Sequence, residues 1–133
     1  MEREKKVVDA SVLFKLYAHE AGSDKAIMLR DAHVDGKILL IVPELIFLEV
    51  LNAMRYKGGT TEILSAITKE LFDLQLHVER LTDFLLTKAV TVSLEYNLTI
   101  YDALYVALAQ LYGVEFITAD KVLGKVPNVT IIG

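Results

Sequence analysis

Residues 38–53 read ILLIVPELIFLEVLNA, and their reading decides the fold. Ile38 to Val42 is an unbroken apolar run, too short for a helix and without the in–out alternation of a strand that has one face in water. A strand buried on both faces reads this way, and such strands belong to parallel sheets covered by helices on both sides. Pro43 then stands where the first turn of a helix tolerates a missing N–H, so a helix is expected from Pro43 to about Lys57, ended by Gly58-Gly59.

The same succession continues outward. Lys5 to Val8 reads as a strand ending at Asp9, a helix covers about Ser11 to Ala18, and Ser23 caps a second helix that ends near Gly36. Downstream, Thr60 or Thr61 caps a helix to about Leu74, and Leu76 to Leu81 reads as a strand. Thr82 and Thr99 cap helices reaching about Tyr96 and Leu111, and Gly113 closes the last of them. Glu115 to Thr118 and Val129 to Ile132 are two more strands. Strand and helix alternate with no internal repeat or linker, which predicts a single domain over residues 1–133: an α/β three-layer sandwich with a central parallel sheet.

Composition narrows the function. The chain is 53% hydrophobic with mean hydropathy +0.41, yet its longest stretch without Asp, Glu, Lys or Arg, Ala103 to Val114, is 12 residues, short of the roughly 18 to 20 a spanning helix needs. Met1 to Lys6 is a charged stub with no signal-peptide pattern, so a cytoplasmic location is expected. With no Cys, and with His19, His33 and His77 scattered, thiolate chemistry and zinc sites are excluded. Eighteen acids against 14 bases give a net charge of −4, which argues against a wholly basic nucleic-acid surface but not against a local cation-holding cleft.

Four acids stand in apolar company: Asp9 in VVDASVLF, Glu49 in ELIFLEVLNAM, Asp102 in TIYDALYVALA and Asp120 in FITADKVL. Capping alone would account for Asp9 and Asp120, and Asp102 suits the positive end of a helix. Glu49 lies mid-helix, and its face-sharing neighbours Leu45, Ile46, Asn52 and Ala53 include no base; a salt bridge to a distant Lys or Arg is its ordinary explanation. Together the four point further. Asp9 and Asp120 follow strands directly and so lie at the carboxyl edge of the sheet, where open α/β sheets bind ligands, and Asp102 and Glu49 can reach the same crevice from flanking helices. Like charges gathered there require protonation or a hard divalent cation, and all-oxygen ligands select Mg²⁺ or Mn²⁺, the equipment of phosphodiester hydrolysis.

The motifs V-V-D-A-S (Val7 to Ser11), P-E-L-x-x-x-E-V-x-N-A (Pro43 to Ala53), L-T-I-Y-D-A-L-Y-V-A-L-A (Leu98 to Ala109) and I-T-A-D-K-V-L (Ile117 to Leu123) resemble, in order and spacing, the PIN domain and within it the VapC-like toxins of toxin–antitoxin pairs. The resemblance implies that Asp9, Glu49, Asp102 and Asp120 are the catalytic and metal-binding residues of an Mg²⁺-dependent endoribonuclease that leaves a 5′-phosphate and a 3′-hydroxyl. It also implies a cognate antitoxin and a homodimer. Ser11, Asn52 and Thr118 are placed to orient the carboxylates or a water, while Tyr101 and Tyr105 read as core. Arg55, Lys57, Lys15 and Lys121 are the bases nearest the acids in sequence.

Two other classes share some of these features. A non-catalytic domain of the same fold, binding RNA or a protein, is the alternative. A phospho-accepting receiver fits poorly, since receivers carry an adjacent acidic pair after the first strand and here Ala10 follows Asp9. The helices Ser11 to Ala18, Pro43 to Lys57 and Thr60 to Leu74 carry more apolar positions than one buried stripe requires, among them Val12, Leu13, Phe14, Leu16 and Tyr17 on the first and Leu45, Ile46, Phe47, Leu48, Val50 and Leu51 on the second. An exposed apolar groove beside the acids is therefore expected there.

Overall fold

A computed structural model describes residues 2–133; Met1, part of the charged stub, lies outside the described residues. Five strands, β1 (Glu4–Val8), β2 (Ile38–Pro43), β3 (His77–Glu79), β4 (Phe116–Thr118) and β5 (Val129–Ile131), form one sheet in the order β3-β2-β1-β4-β5, and every pairing is parallel. The first strand begins at Glu4, so half of the expected stub belongs to β1.

The helices are α1 (Ala10–Phe14), α2 (Ser23–Val34), α3 (Leu45–Tyr56), α4 (Thr61–Asp73), α5 (Asp83–Tyr96) and α6 (Ile100–Tyr112). Parallel crossovers are right-handed, and this sorts them. Passing from β1 to β2 to β3 the chain moves one way across the sheet, which puts α1 to α4 on one face. From β3 it returns past β1 to β4, which puts α5 and α6 on the other. The contacts agree: α3 packs on α1 and α4, whereas α5 packs on α6, and α6 lies along β1 and β2. The three layers follow. Between β1 and β4 the winding reverses direction, and that switch point opens a crevice at the carboxyl ends of these two strands.

Burial follows the layers. In β2, Leu40 to Pro43 are buried, as a strand covered on both faces requires. All seven residues from Ala103 to Ala109 are buried, because α6 is enclosed by the sheet on one side and α5 on the other. His33 is also buried: its Nδ1 accepts from the Leu40 amide at 3.1 Å, which leaves the proton on Nε2 to meet the Leu74 carbonyl at 2.7 Å. A histidine stitched this way ties α2, β2 and the end of α4 and is no metal ligand.

Three local expectations are corrected. Pro43 ends β2 rather than opening α3; at the end of a ladder a missing N–H costs nothing, and the Glu44 amide makes the next bond, to the Glu79 carbonyl at 2.9 Å. Gly22, at φ 89°, is the N-cap of α2; Ser23 is already helical, its hydroxyl bridging the Ala18 carbonyl and the Glu20 amide. The first helix ends at Phe14, after which the amides of Leu16 and Tyr17 bond back three residues in tighter turns to Ala18. No helix among the described residues is long and apolar enough to cross a membrane.

Candidate metal centre

Asp9 follows β1 and caps α1, accepting from the Ser11 amide at 3.1 Å; Asp120 follows β4 and caps the short 3-10 turn Lys121–Lys125, accepting from the Val122 amide at 3.0 Å. Each acid therefore caps and also stands at the switch point. Asp102 lies in the first turn of α6, where the Thr99 hydroxyl accepts from its amide at 3.1 Å, and Glu49 projects from the second turn of α3. The four side chains line one cleft of about 140 Å³ together with Ala10, Ser11 and Tyr105. Larger hollows, of about 290 Å³ beside the end of α6 and about 540 Å³ along α5, collect no comparable set of ionisable groups.

No base lines the cleft, and among the described residues none of the four acids has an ion-pair partner. Asp9 is 7% exposed, and burial pushes its carboxyl up to about 6 despite the hydrogen bonds that favour its ionised form. Burial also raises Glu49, with the charge of Asp102 adding to it while the Tyr105 hydroxyl opposes it. Asp102 is raised by burial and then by the charge of Asp120. Across the cleft, then, Glu49 feels the charge of Asp102, and Asp102 that of Asp120. Nothing basic compensates them.

A network at the carboxyl ends of β1 and β4 holds Asp9. The register sets Val8 opposite Ile117, which brings Thr118 beside Asp9. The Thr118 hydroxyl donates to Oδ2 and the Ser11 hydroxyl to Oδ1, both at 2.5 Å; Ser11 Oγ also accepts from the Ala119 amide at 2.9 Å, and Thr118 Oγ1 from the Asp120 amide at 3.1 Å. Two of the three expected supporting residues, Ser11 and Thr118, thus lock the carboxylate and link it to the Asp120 turn. Asn52 is exposed and, among the described residues, makes no hydrogen bond to Glu49.

What sequence reasoning missed is the hydroxyl of Tyr105. The ring is core, as expected, but its OH donates to Glu49 Oε1 at 2.5 Å, in the place where a distant Lys or Arg was the ordinary expectation. Burial first, and then the neighbouring acids, hold this hydroxyl firmly protonated. Its three-residue step from Asp102 on α6 was the available signal, since that spacing shares one helix face. The bases expected near the acids go elsewhere. Lys15 is buried against Glu20 Oε1 at 3.0 Å and the Ala21 carbonyl, Arg55 and Lys57 lie over the rings of Tyr56 and Phe14, and Lys121 is exposed.

The donor set suits a hard divalent cation: four carboxylates, no sulfur or imidazole, and uncompensated charge. No three of the described acids or histidines already converge closely enough to enclose an ion.

The model of the PIN domain matches residues 6–129, and the chain belongs to that family. Among solved structures it is similar to VapC20 of Mycobacterium tuberculosis, a sarcin–ricin loop cleaving toxin, with TM-score 0.76 at 16% identity over 96% of this chain and 99% of that one. A toxin–antitoxin complex from Klebsiella pneumoniae gives TM-score 0.72 at 19% identity, covering 94% and 95%. PAE2754 from Pyrobaculum aerophilum is 28% identical over 98% of this chain and 92% of that one, with TM-score 0.66. No curated protein matches by sequence.

Proposed function

We propose that the chain is a metal-dependent endoribonuclease, the toxin of a toxin–antitoxin pair, working in the cytoplasm with Asp9, Glu49, Asp102 and Asp120 holding Mg²⁺ or Mn²⁺. The observation that carries the reading is that four carboxylates with no basic partner line one cleft at the switch point of a parallel sheet. The toxins among its structural neighbours support the biological role. When bound, such an ion supplies a more acidic water and neutralises charge on a phosphodiester. The chain's own part is positioning. Ser11 and Thr118 clamp Asp9, Thr99 fixes the first turn that carries Asp102, and the Asp120 turn is tied to Asp9 through Thr118.

Apolar surface supports partners, and part of it lies on two of the three early helices expected to carry it. Val12, Leu13, Ile46 and Val50 are buried in the core, and of the apolar surplus expected on α1 and α3 only Leu48 is exposed. Large exposed side chains lie on α3 and α4 (Leu48, Tyr56, Ile63, Phe72), and a second set lies over α5 and the start of α6 (Phe84, Leu94 at 80% and Tyr101, which the sequence reads as core but whose place in the first turn of α6 leaves it in solvent). Two separate apolar faces suit a homodimer contact and an antitoxin segment.

Incubation of the purified protein with single-stranded and structured RNA tests the activity. Cleavage is expected with Mg²⁺ or Mn²⁺ and its loss with chelator. Cleavage indifferent to chelator would overturn metal dependence, and intact RNA alongside tight RNA or peptide binding would favour the non-catalytic alternative.

A further inference from the structure

Tyr105 is 2% exposed and its ring stacks on Phe116 at 6.1 Å with only 7° between planes. A phenylalanine would meet the same packing, so the hydroxyl needs a reason of its own. It sits where two layers meet. Glu49 comes from α3, on the face covered by α1 to α4, and Tyr105 comes from α6 on the opposite face; their hydrogen bond at 2.5 Å spans the crevice between them. Glu49 is half-buried on a long side chain with no other hydrogen-bond partner among the described residues, so this one contact decides where its carboxylate points. The choice of donor matters as well. A Lys or Arg at this position would neutralise the carboxylate and compete with a cation for it, whereas a tyrosine hydroxyl fixes the group and leaves its charge available.

We infer that Tyr105 is a positioning residue of the cleft: its hydroxyl anchors Glu49 through Oε1, leaving Oε2 for a divalent cation shared with the sheet-edge aspartates. The inference rests on the reading of the cleft as a divalent-cation site. It assigns Tyr105 no contact with substrate and no proton transfer. The residue acts through Glu49 alone.

Calorimetric titration of the full chain with Mn²⁺ tests this in four forms: parent, Tyr105→Phe, Glu49→Gln and the double variant, each checked for folding by circular dichroism. Tyr105→Phe is expected to weaken Mn²⁺ by about 10- to 100-fold, the usual effect of removing a group that orients a ligand. Because the tyrosine acts through the glutamate, the double variant should bind no more weakly than Glu49→Gln. Tyr105→Phe binding within twofold of the parent, or losses that multiply in the double variant, would overturn the inference while leaving the cation site standing. A parent that binds no Mn²⁺ overturns both, and is distinguished because the defect is then present before any substitution.

Discussion

Asp102→Asn is expected to reduce RNA cleavage by about 10²- to 10³-fold, the scale on which a principal electrostatic group of an active site acts, while leaving the protein folded. The reason lies in the position of Asp102. Its backbone amide is capped by Thr99, so the first turn of α6 survives the change, while its charge acts on Glu49 and the charge of Asp120 acts on it. Removing that one charge depletes the acidic cleft that all four side chains line. Asparagine keeps the shape and one oxygen, so any loss beyond a small factor reports charge and not volume. The measurement is a single-turnover rate on one defined RNA with saturating Mn²⁺. Activity within tenfold of the parent would remove Asp102 from the machinery.

The second large effect has the opposite sign on stability. In chelator, the protein should become less stable as pH rises from about 4 toward 7, by about 3 kcal/mol from Asp9 alone, because each tenfold difference in proton affinity between the folded and unfolded states is worth about 1.4 kcal/mol. The folded Asp9 carboxyl titrates at about 6 against an ordinary value of 3.8, so its proton is bound more tightly in the folded state. A raised carboxyl contributes its stability when protonated, below the unfolded value, and loses it as pH climbs through the folded value. Glu49 and Asp102, both raised, act in the same sense. Glu79 and Glu115, held low by hydrogen bonds from Tyr112 and Thr130, act in the opposite sense, but below the ordinary glutamate value of 4.5.

Asp9→Asn should therefore be more stable than the parent at pH 7.5 in chelator. The gain is about 1 to 2 kcal/mol once about 1 kcal/mol is subtracted for hydrogen bonds from Ser11 and Thr118 that an amide accepts less well. Adding Mn²⁺ at a hundred times its dissociation constant should restore about 2.7 kcal/mol to the parent and little to the variant. Urea unfolding across this pH range reads all of these quantities. A parent whose stability rises between pH 5 and 7, or an Asp9→Asn protein that is weaker at pH 7.5, would show that the cleft acids are not held at the cost described.

Much of this was legible along the chain because the signals were local. The run Ile38 to Val42 is buried except for the half-buried Leu39, as its composition requires, and Thr60, Thr82 and Thr99 each accept the capping bond that their position implies. The two sheet-edge aspartates could be placed from strand ends alone, since a parallel strand fixes which edge its last residue reaches. What failed depended on partners distant in sequence. Pro43 ended in β2 because β3 completes the ladder beside it, and Gly22 displaced Ser23 as cap because the chain turns there with φ 89°. Asn52 shares a helical step with Glu49 but points to solvent, as an i, i+3 neighbour can at the margin of a buried stripe. The hydroxyl of Tyr105 was hidden for the same reason: an apolar helix context describes its ring, and only the layering of α3 over one face and α6 over the other brings Glu49 to its oxygen.

Whether four carboxylates from two strand ends and two helices jointly hold a divalent cation is tested most directly by anomalous diffraction from crystals soaked in Mn²⁺. A peak is expected in the cleft bounded by Asp9, Glu49, Asp102 and Asp120, with at least two of these carboxylates and several waters as its ligands. No peak there at saturating Mn²⁺, or a Lys or Arg occupying the cleft as the acids' partner, would contradict a shared cation site.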